Sequence, residues 1–295
     1  MADFRTDQAA GLRRLFGGGQ LQVVTFSAGC EGVGRSIAVA NIATALARLG
    51  KEVLILDENA GPDDMASRFG LRANYDLLHV MTMERRLGEV LVTPFPGVHI
   101  LPATQAVKTL GRLSLPQQQA LLDALCNLEK PVDVILVDAS IRHPLGVSPV
   151  GLASTENVVV LSGNSASITE AYALIKKLSH LFSRKRFRIL VNKVRSTADA
   201  RAIFDNIAQV AAQRHVATLE WAGAVPLDEA MRQASVLGRP VVSAVPDAAS
   251  AAAFRDIATD MQYWHRGDAE VGGVEQFVQH LLHLSQRINP SAIRA

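Results

Sequence analysis

Residues 21–36, LQVVTFSAGCEGVGRS, decide how the whole chain is read. The largely apolar run Leu21–Phe26 reads as a buried strand, Gly29, Gly32 and Gly34 follow it, and a helical pattern begins at Ser36. Strand, glycine-rich turn and helix together make a context for a phosphate loop. Gly32 and Gly34 can take positive φ, so the backbone around Val33 can close on a polyphosphate, with the positive end of the next helix behind it. Such a loop ordinarily carries Lys before its Ser or Thr. Here Arg35 precedes Ser36, which keeps the charge but puts a broad fork where a compact ammonium is usual. The stretch reads as a nucleotide site with altered chemistry, the plain alternative being a glycine-rich turn that holds nothing.

Outward from the loop, apolar runs alternate with helical periodicity. Strands are expected at Lys51–Asp57, Val98–Leu101, Asp133–Asp138, Asn157–Leu161, Arg188–Asn192 and Leu219–Ala224. Helices are expected at Ser36–Gly50, Pro116–Leu128, Ser167–Phe182, Thr197–Arg214 and Ala248–Trp264, with shorter helical stretches between 63 and 91. All-apolar strands separated by helices predict an α/β fold: a single doubly wound, mostly parallel sheet of the P-loop NTPase type, with helices on both faces. Ligands in such a fold gather at the carboxyl ends of the strands. The expected organisation is an N-terminal segment and linker at 1–20, the α/β domain at 21–265, and a linker with an amphipathic helix at 266–295.

The 295 residues are 48% hydrophobic and 20% charged, which is ordinary globular composition. A net charge of +2 is too small to indicate nucleic-acid binding. The two cysteines, Cys30 and Cys126, make neither a disulfide framework nor a metal cluster. With no secretory signal and no run of about 18 apolar residues, the chain is expected to be soluble and cytoplasmic.

Asp57 and Asp138 each close a strand, and with the hydroxyl of Ser36 they make the set that ordinarily holds a phosphate-bound Mg²⁺, mostly through waters. Each acid alone is also a common loop residue. Asn192 in LVNKV and Pro226 in AVPLDEA follow later strands, where they can contact a base or serve structure. Hydrolysis asks for more, namely a group that positions water and a further cation over the β/γ bond. Asn59 cannot take a proton, the loop has no lysine, and Glu31 repels phosphates unless Arg35 pairs with it.

At the C-terminal end, Val274, Phe277, Val278, Leu281, Leu282 and Ile288 share one side of a helix over 274–288. That face suits a membrane, a partner or the domain's own flank; its polar side has little Lys or Arg to attract anionic lipid. At the other end, Ala9, Leu12, Leu15 and Phe16 suit a short amphipathic helix tethered by Gly17–Gly19.

The loop, DENAG (57–61), DVILVD (133–138), SITEAYALIKKL (167–178) and LVNKV (190–194) resemble the MinD/ParA-type deviant Walker ATPases, and most of all the FlhG (FleN) flagellar number regulators. The sharpest match is Asp7, Gln8 and Ala9 with Gly11, Leu12 and Arg13, similar to the DQA-x-GLR segment that those regulators carry. Against the family pattern, Cys30 stands at the signature Lys, Glu31 at a glycine, Arg35 at the Walker Lys and Asn59 at the catalytic Asp, whereas Asp57 is kept. After Asp138 the family's Thr-x-x-Gly becomes Ala139-Ser140-Ile141-Arg142.

The resemblance implies ATP or ADP with Mg²⁺ on a degenerate site formed by Gly29, Gly32, Val33, Gly34, Arg35, Ser36, Asp57, Asp138, Asn192 and Pro226. It also implies an FlhF GTPase partner stimulated through residues 7–13, where Gln8 would orient the attacking water. Flagellar switch proteins, a flagellar transcriptional activator and peripheral contact at the inner membrane or cell pole are further implications. The competing readings are an active ATPase cycling between monomer and membrane-bound ATP dimer, and another MinD/ParA-like positioning factor.

Overall fold

The opening strand forms as β1 (Gln22–Ser27) and lies inside the sheet, every residue of it buried. A computed structural model describes residues 21–61, 64–128, 130–264 and 273–288 of the chain. The remaining strands are β2 (Val53–Asp57), β3 (Val92–Phe95), β4 (Val98–Pro102), β5 (Val134–Asp138), β6 (Glu156–Ser162), β7 (Arg186–Val194) and β8 (Thr218–Pro226). They make one eight-stranded sheet in the order β3-β4-β2-β5-β1-β6-β7-β8. Every pairing is parallel except β3 with β4.

The edge strand β3 is not among the expected strands. Its VTPF sequence lacks an apolar run, and it forms because Gly97, at φ 89°, turns the chain back onto β4. Pro94 is tolerated there because an edge strand leaves one side of its backbone unpaired. β7 and β8 run longer than expected, to Val194 and Pro226, carrying Asn192 inside its strand and Pro226 to the end of the ladder.

The helices that cover the sheet are α1 (Arg35–Arg48), α2 (Leu115–Cys126), α3 (Pro149–Ala153), α4 (Ser165–Phe182), α5 (Thr197–Gln213), α6 (Ala249–Met261) and α7 (Val274–Arg287). Strand residues alternate between two apolar layers, as the period-two geometry of a pleated strand requires. Val24, Phe26, Ile55, Leu136 and Val158 face α1 and α6, meeting Ile42, Leu46, Phe254 and Ile257. Val23, Leu54, Leu56, Ile135 and Val137 face the other way, toward Leu121 and Leu125 of α2. Val159, Leu161, Ile189 and Val191 continue that second face under α4 and α5. Both faces are covered, which is why these strands read as continuous apolar runs.

Of the three settings open to the C-terminal amphipathic helix, the structure takes the domain's own flank. Phe277, Val278 and Leu281 of α7 are buried against α2, α3 and the turn at Leu110–Arg112, and Val274, Leu282 and Ile288 pack partly buried beside them. Gly111 lets the Ser285 backbone approach, since a Cβ there would lie 2.8 Å from the Ser285 carbonyl oxygen. The segment 7–13 and the expected linker lie outside the described residues. Among the described residues no helix is long and apolar enough to cross a membrane.

Candidate functional site: a nucleotide loop closed by its own arginine

The loop between β1 and α1 adopts the conformation its glycines foreshadow. Gly32 and Gly34 take φ of 78° and 87°, and Gly34 opens α1 with no side-chain cap. The first N–H groups of that helix are therefore open to an anion, as at a phosphate loop. Gly29 serves a different end, because a Cβ there would collide with the backbone of Glu170 and Ala171 in α4. Its role is close approach of loop and helix.

Register brings the two acids together. Asp57 and Asp138 are partners across β2 and β5, while Asp138 is also opposite Phe26 of β1. Both are buried, at 1% and 0% exposure. Into this pair reaches the Arg35 guanidinium. Its Nε donates to Asp138 Oδ1 at 2.5 Å, and its Nη2 donates to Asn59 Oδ1 at 3.0 Å and Ser36 Oγ at 3.3 Å. The possible pairing of Arg35 with Glu31 does not occur. Glu31 lies out on the surface, 3.6 Å from Arg142, because the buried carboxylate of Asp138 offers Arg35 far less solvent screening than an exposed one.

Asn59 completes the cluster. Its Nδ2 donates to Asp57 Oδ1 at 3.0 Å and to Asp138 Oδ2 at 2.9 Å, so one neutral amide bridges two carboxylates that would otherwise repel. An Asp at this position would add a third negative charge and remove the bridging donor. Asp57 spends its other oxygen on the Met65 N–H at 2.6 Å. Burial and the neighbouring Asp138 push the Asp57 carboxyl well above the usual carboxylate range.

Glu58, between Asp57 and Asn59 in sequence, is buried as well. It accepts from Ser148 Oγ and from the Ser140 N–H, and burial pushes its carboxyl up to about 7 despite those bonds. Sequence reading assigns Glu58 no role. Its only signal is an acid inside an otherwise buried strand end.

In front of the cluster lies a cavity of about 640 Å³, lined by Cys30, Glu31, Gly32, Val33, Gly34, Arg35, Ser36 and Asn59 on the loop side. Arg68, Lys108, Arg142 and Lys193 also line it and were missed in the sequence, since they come from two short helices (Met65–Arg68 and Ala106–Thr109), a turn and strand β7, which only folding assembles. Asp57 and Asp138 sit behind Arg35 and Asn59 and do not line it, and neither do Gly29, Asn192 and Pro226. Of the two roles open to Asn192, base contact or structure, the geometry displays the structural one: its Nδ2 donates to the Val33 carbonyl at 2.8 Å, so the side chain braces the loop. Lys193, at φ 57°, adds a second brace from Nζ to the Gly32 carbonyl at 2.7 Å. Among the described residues no group of His, Cys, Asp and Glu is arranged to hold a metal.

The expected Mg²⁺ set of Ser36, Asp57 and Asp138 does not fit the ion. A guanidinium already touches Ser36 and Asp138, and the Asp57 carboxylate is spent on Asn59 and Met65. Octahedral Mg²⁺ needs oxygens at about 2.1 Å on all sides, and the cation in their midst denies it both the space and the charge.

Residues 24–241 match the profile of the CobQ/CobB/MinD/ParA nucleotide binding domain. The chain is 31% identical over 262 residues to the antiactivator FleN of Pseudomonas aeruginosa, covering 89% of this chain and 94% of that protein. It is 26% identical to the flagellum site-determining protein YlxH of Helicobacter pylori, covering 68% of each. The fold is similar to that of the MinD protein of Pyrococcus horikoshii in complex with Mg-ADP, with a TM-score of 0.60 at 20% identity, covering 82% of this chain and 96% of that one.

Proposed function

The chain belongs to the CobQ/CobB/MinD/ParA nucleotide-binding family and, within it, with the FleN-like proteins, and on that premise we propose that it is a regulator of flagellar number and placement that works by binding partners, with ATP hydrolysis weak or lost. The observation that supports this most directly is the closed Arg35–Asp138–Asn59 cluster. Each group that would orient or deprotonate an attacking water is committed to a protein partner or replaced. Cys30, at the family's bridging lysine, has no charge to offer a phosphate across a dimer.

The partner reading rests on sequence. Residues 7–13, DQAAGLR, stimulate an FlhF GTPase in this proposal, with Gln8 orienting the water in the partner's site. FleN is described as an antiactivator, which supports restraint of a flagellar transcriptional activator as a second output. Contact with the inner membrane or cell pole through α7 would require that helix to leave α2 and α3, so it is a conditional activity.

The deciding experiment measures GTP hydrolysis by purified FlhF with the full chain and with its Gln8→Ala variant. Stimulation by the wild type that disappears in the variant is expected. Equal stimulation by both would remove the N-terminal segment from the mechanism. A rival reading, an active cycling ATPase, draws on the open cavity with its lysine and arginine lining. Robust Mg²⁺-dependent ATP turnover would select that reading; turnover at buffer background is expected.

A further inference from the structure

We propose that the Arg35 guanidinium is the resident cation of the loop, standing where a nucleotide's Mg²⁺ would have to stand, so that a nucleoside di- or triphosphate binds here without metal. The proposal rests on reading the loop as a nucleotide site, which is independent of the partner function assigned to residues 7–13.

Three features carry it. The guanidinium sits among the groups that would receive the ion, 2.5 Å from Asp138 Oδ1, 3.0 Å from Asn59 Oδ1 and 3.3 Å from Ser36 Oγ. A divalent ion entering that space would meet a fixed positive charge and no uncommitted carboxylate.

The arginine is also held so that it keeps donors in reserve. Nε and Nη2 are spent on the cluster, while Nη1, with its two N–H groups, has no protein partner among the described residues. Arg35 lines the cavity in front of the loop. A planar fork fixed on one side by Asp138 and open on the other is suited to receive phosphate oxygens.

The charge that a metal would bring is also supplied by protein. Lys108, Arg142 and Lys193 line the same cavity, and the uncapped N-terminus of α1 points its first N–H groups at the space beside Arg35. Asn59 belongs to this arrangement. With an acid in its place, Arg35 would face two carboxylates, and the net negative charge would again favour a metal.

The test titrates the full-length protein with ADP and ATP by calorimetry, once in EDTA and once with excess Mg²⁺. Dissociation constants within about twofold of each other are expected. Binding tightened tenfold or more by Mg²⁺ overturns the proposal, and so does an absence of binding in both buffers. The latter result would leave the GTPase-stimulation reading standing, so the two failures are separable. Mn²⁺ alone, followed by electron paramagnetic resonance, is expected to stay free in the presence of the wild type. Arg35→Lys, whose shorter charge withdraws from Asn59, is expected to acquire Mn²⁺ binding and a Mg²⁺-dependent nucleotide affinity. A folded Arg35→Lys protein that shows neither gain would overturn the proposal, and the wild-type titrations decide it if the variant does not fold.

Discussion

Side-chain commitments at the strand ends set how this site responds to pH and to mutation. Glu58 is buried with its carboxyl raised from 4.5 to about 7, so between those values the folded state holds a proton that the unfolded chain has released. Stability is therefore full below pH 4.5 and falls as pH rises toward 7. At about 1.4 kcal/mol per unit, the loss over that window is roughly 3 kcal/mol. Thermal melts from pH 5 to 8 should show it, and Glu58→Gln should lessen the slope, leaving the part contributed by the likewise raised Asp57; an unchanged slope would mean that Glu58 does not titrate in this range. Asn59→Asp removes the amide that bridges Asp57 and Asp138 and adds a third acid. A cost of about 1–3 kcal/mol is expected, with no gain of ATP turnover, because Cys30 and Arg35 are still in place. The sequence named Asn59 and Arg35 as departures from the family pattern. That they depart together, each satisfying the other, needed the register of β2 against β5.

Elements carry the next level of prediction, and α7 is the clearest case. Its apolar stripe was legible from periodicity alone, since Val274, Phe277, Val278, Leu281 and Leu282 recur at helical spacing. What the stripe faces was not, because lipid, partner and domain all reward the same pattern. Here Leu281 is 3% exposed and sits in the layer shared with Leu121 of α2. Leu281→Ala should cost about 2–5 kcal/mol if this docking holds in solution. A variant that loses less than about 0.5 kcal/mol in chemical denaturation would show α7 to be undocked most of the time. The short edge strand β3 was missed for the opposite reason. Its four residues have no apolar pattern of their own, and only the turn at Gly97 delivers them to β4.

At the scale of the whole molecule, one sheet wrapped on both sides ends in a cavity rimmed by loop backbone and cations. Members of this family are expected to pair across their nucleotides through a lysine at the position that Cys30 holds here. Cys30 is half-buried against the apolar core between the sheet and α1, and its thiol carries no positive charge to offer a phosphate. Light scattering with and without saturating ATP should give the same mass; an ATP-dependent doubling would show that another residue takes over the bridge. Sequence by itself determined the doubly wound sheet, the phosphate-loop turn and the presence of Cys30, Arg35 and Asn59 along the loop and strand end, because period, glycine placement and residue type are local properties. Tertiary structure alone decided that Arg35 turns inward to Asp138 and not to Glu31, that Asn192 braces the loop, and that α7 lies on its own domain. Those outcomes depend on which groups share a buried, weakly screened space, and that is settled only when strands distant in sequence come into register.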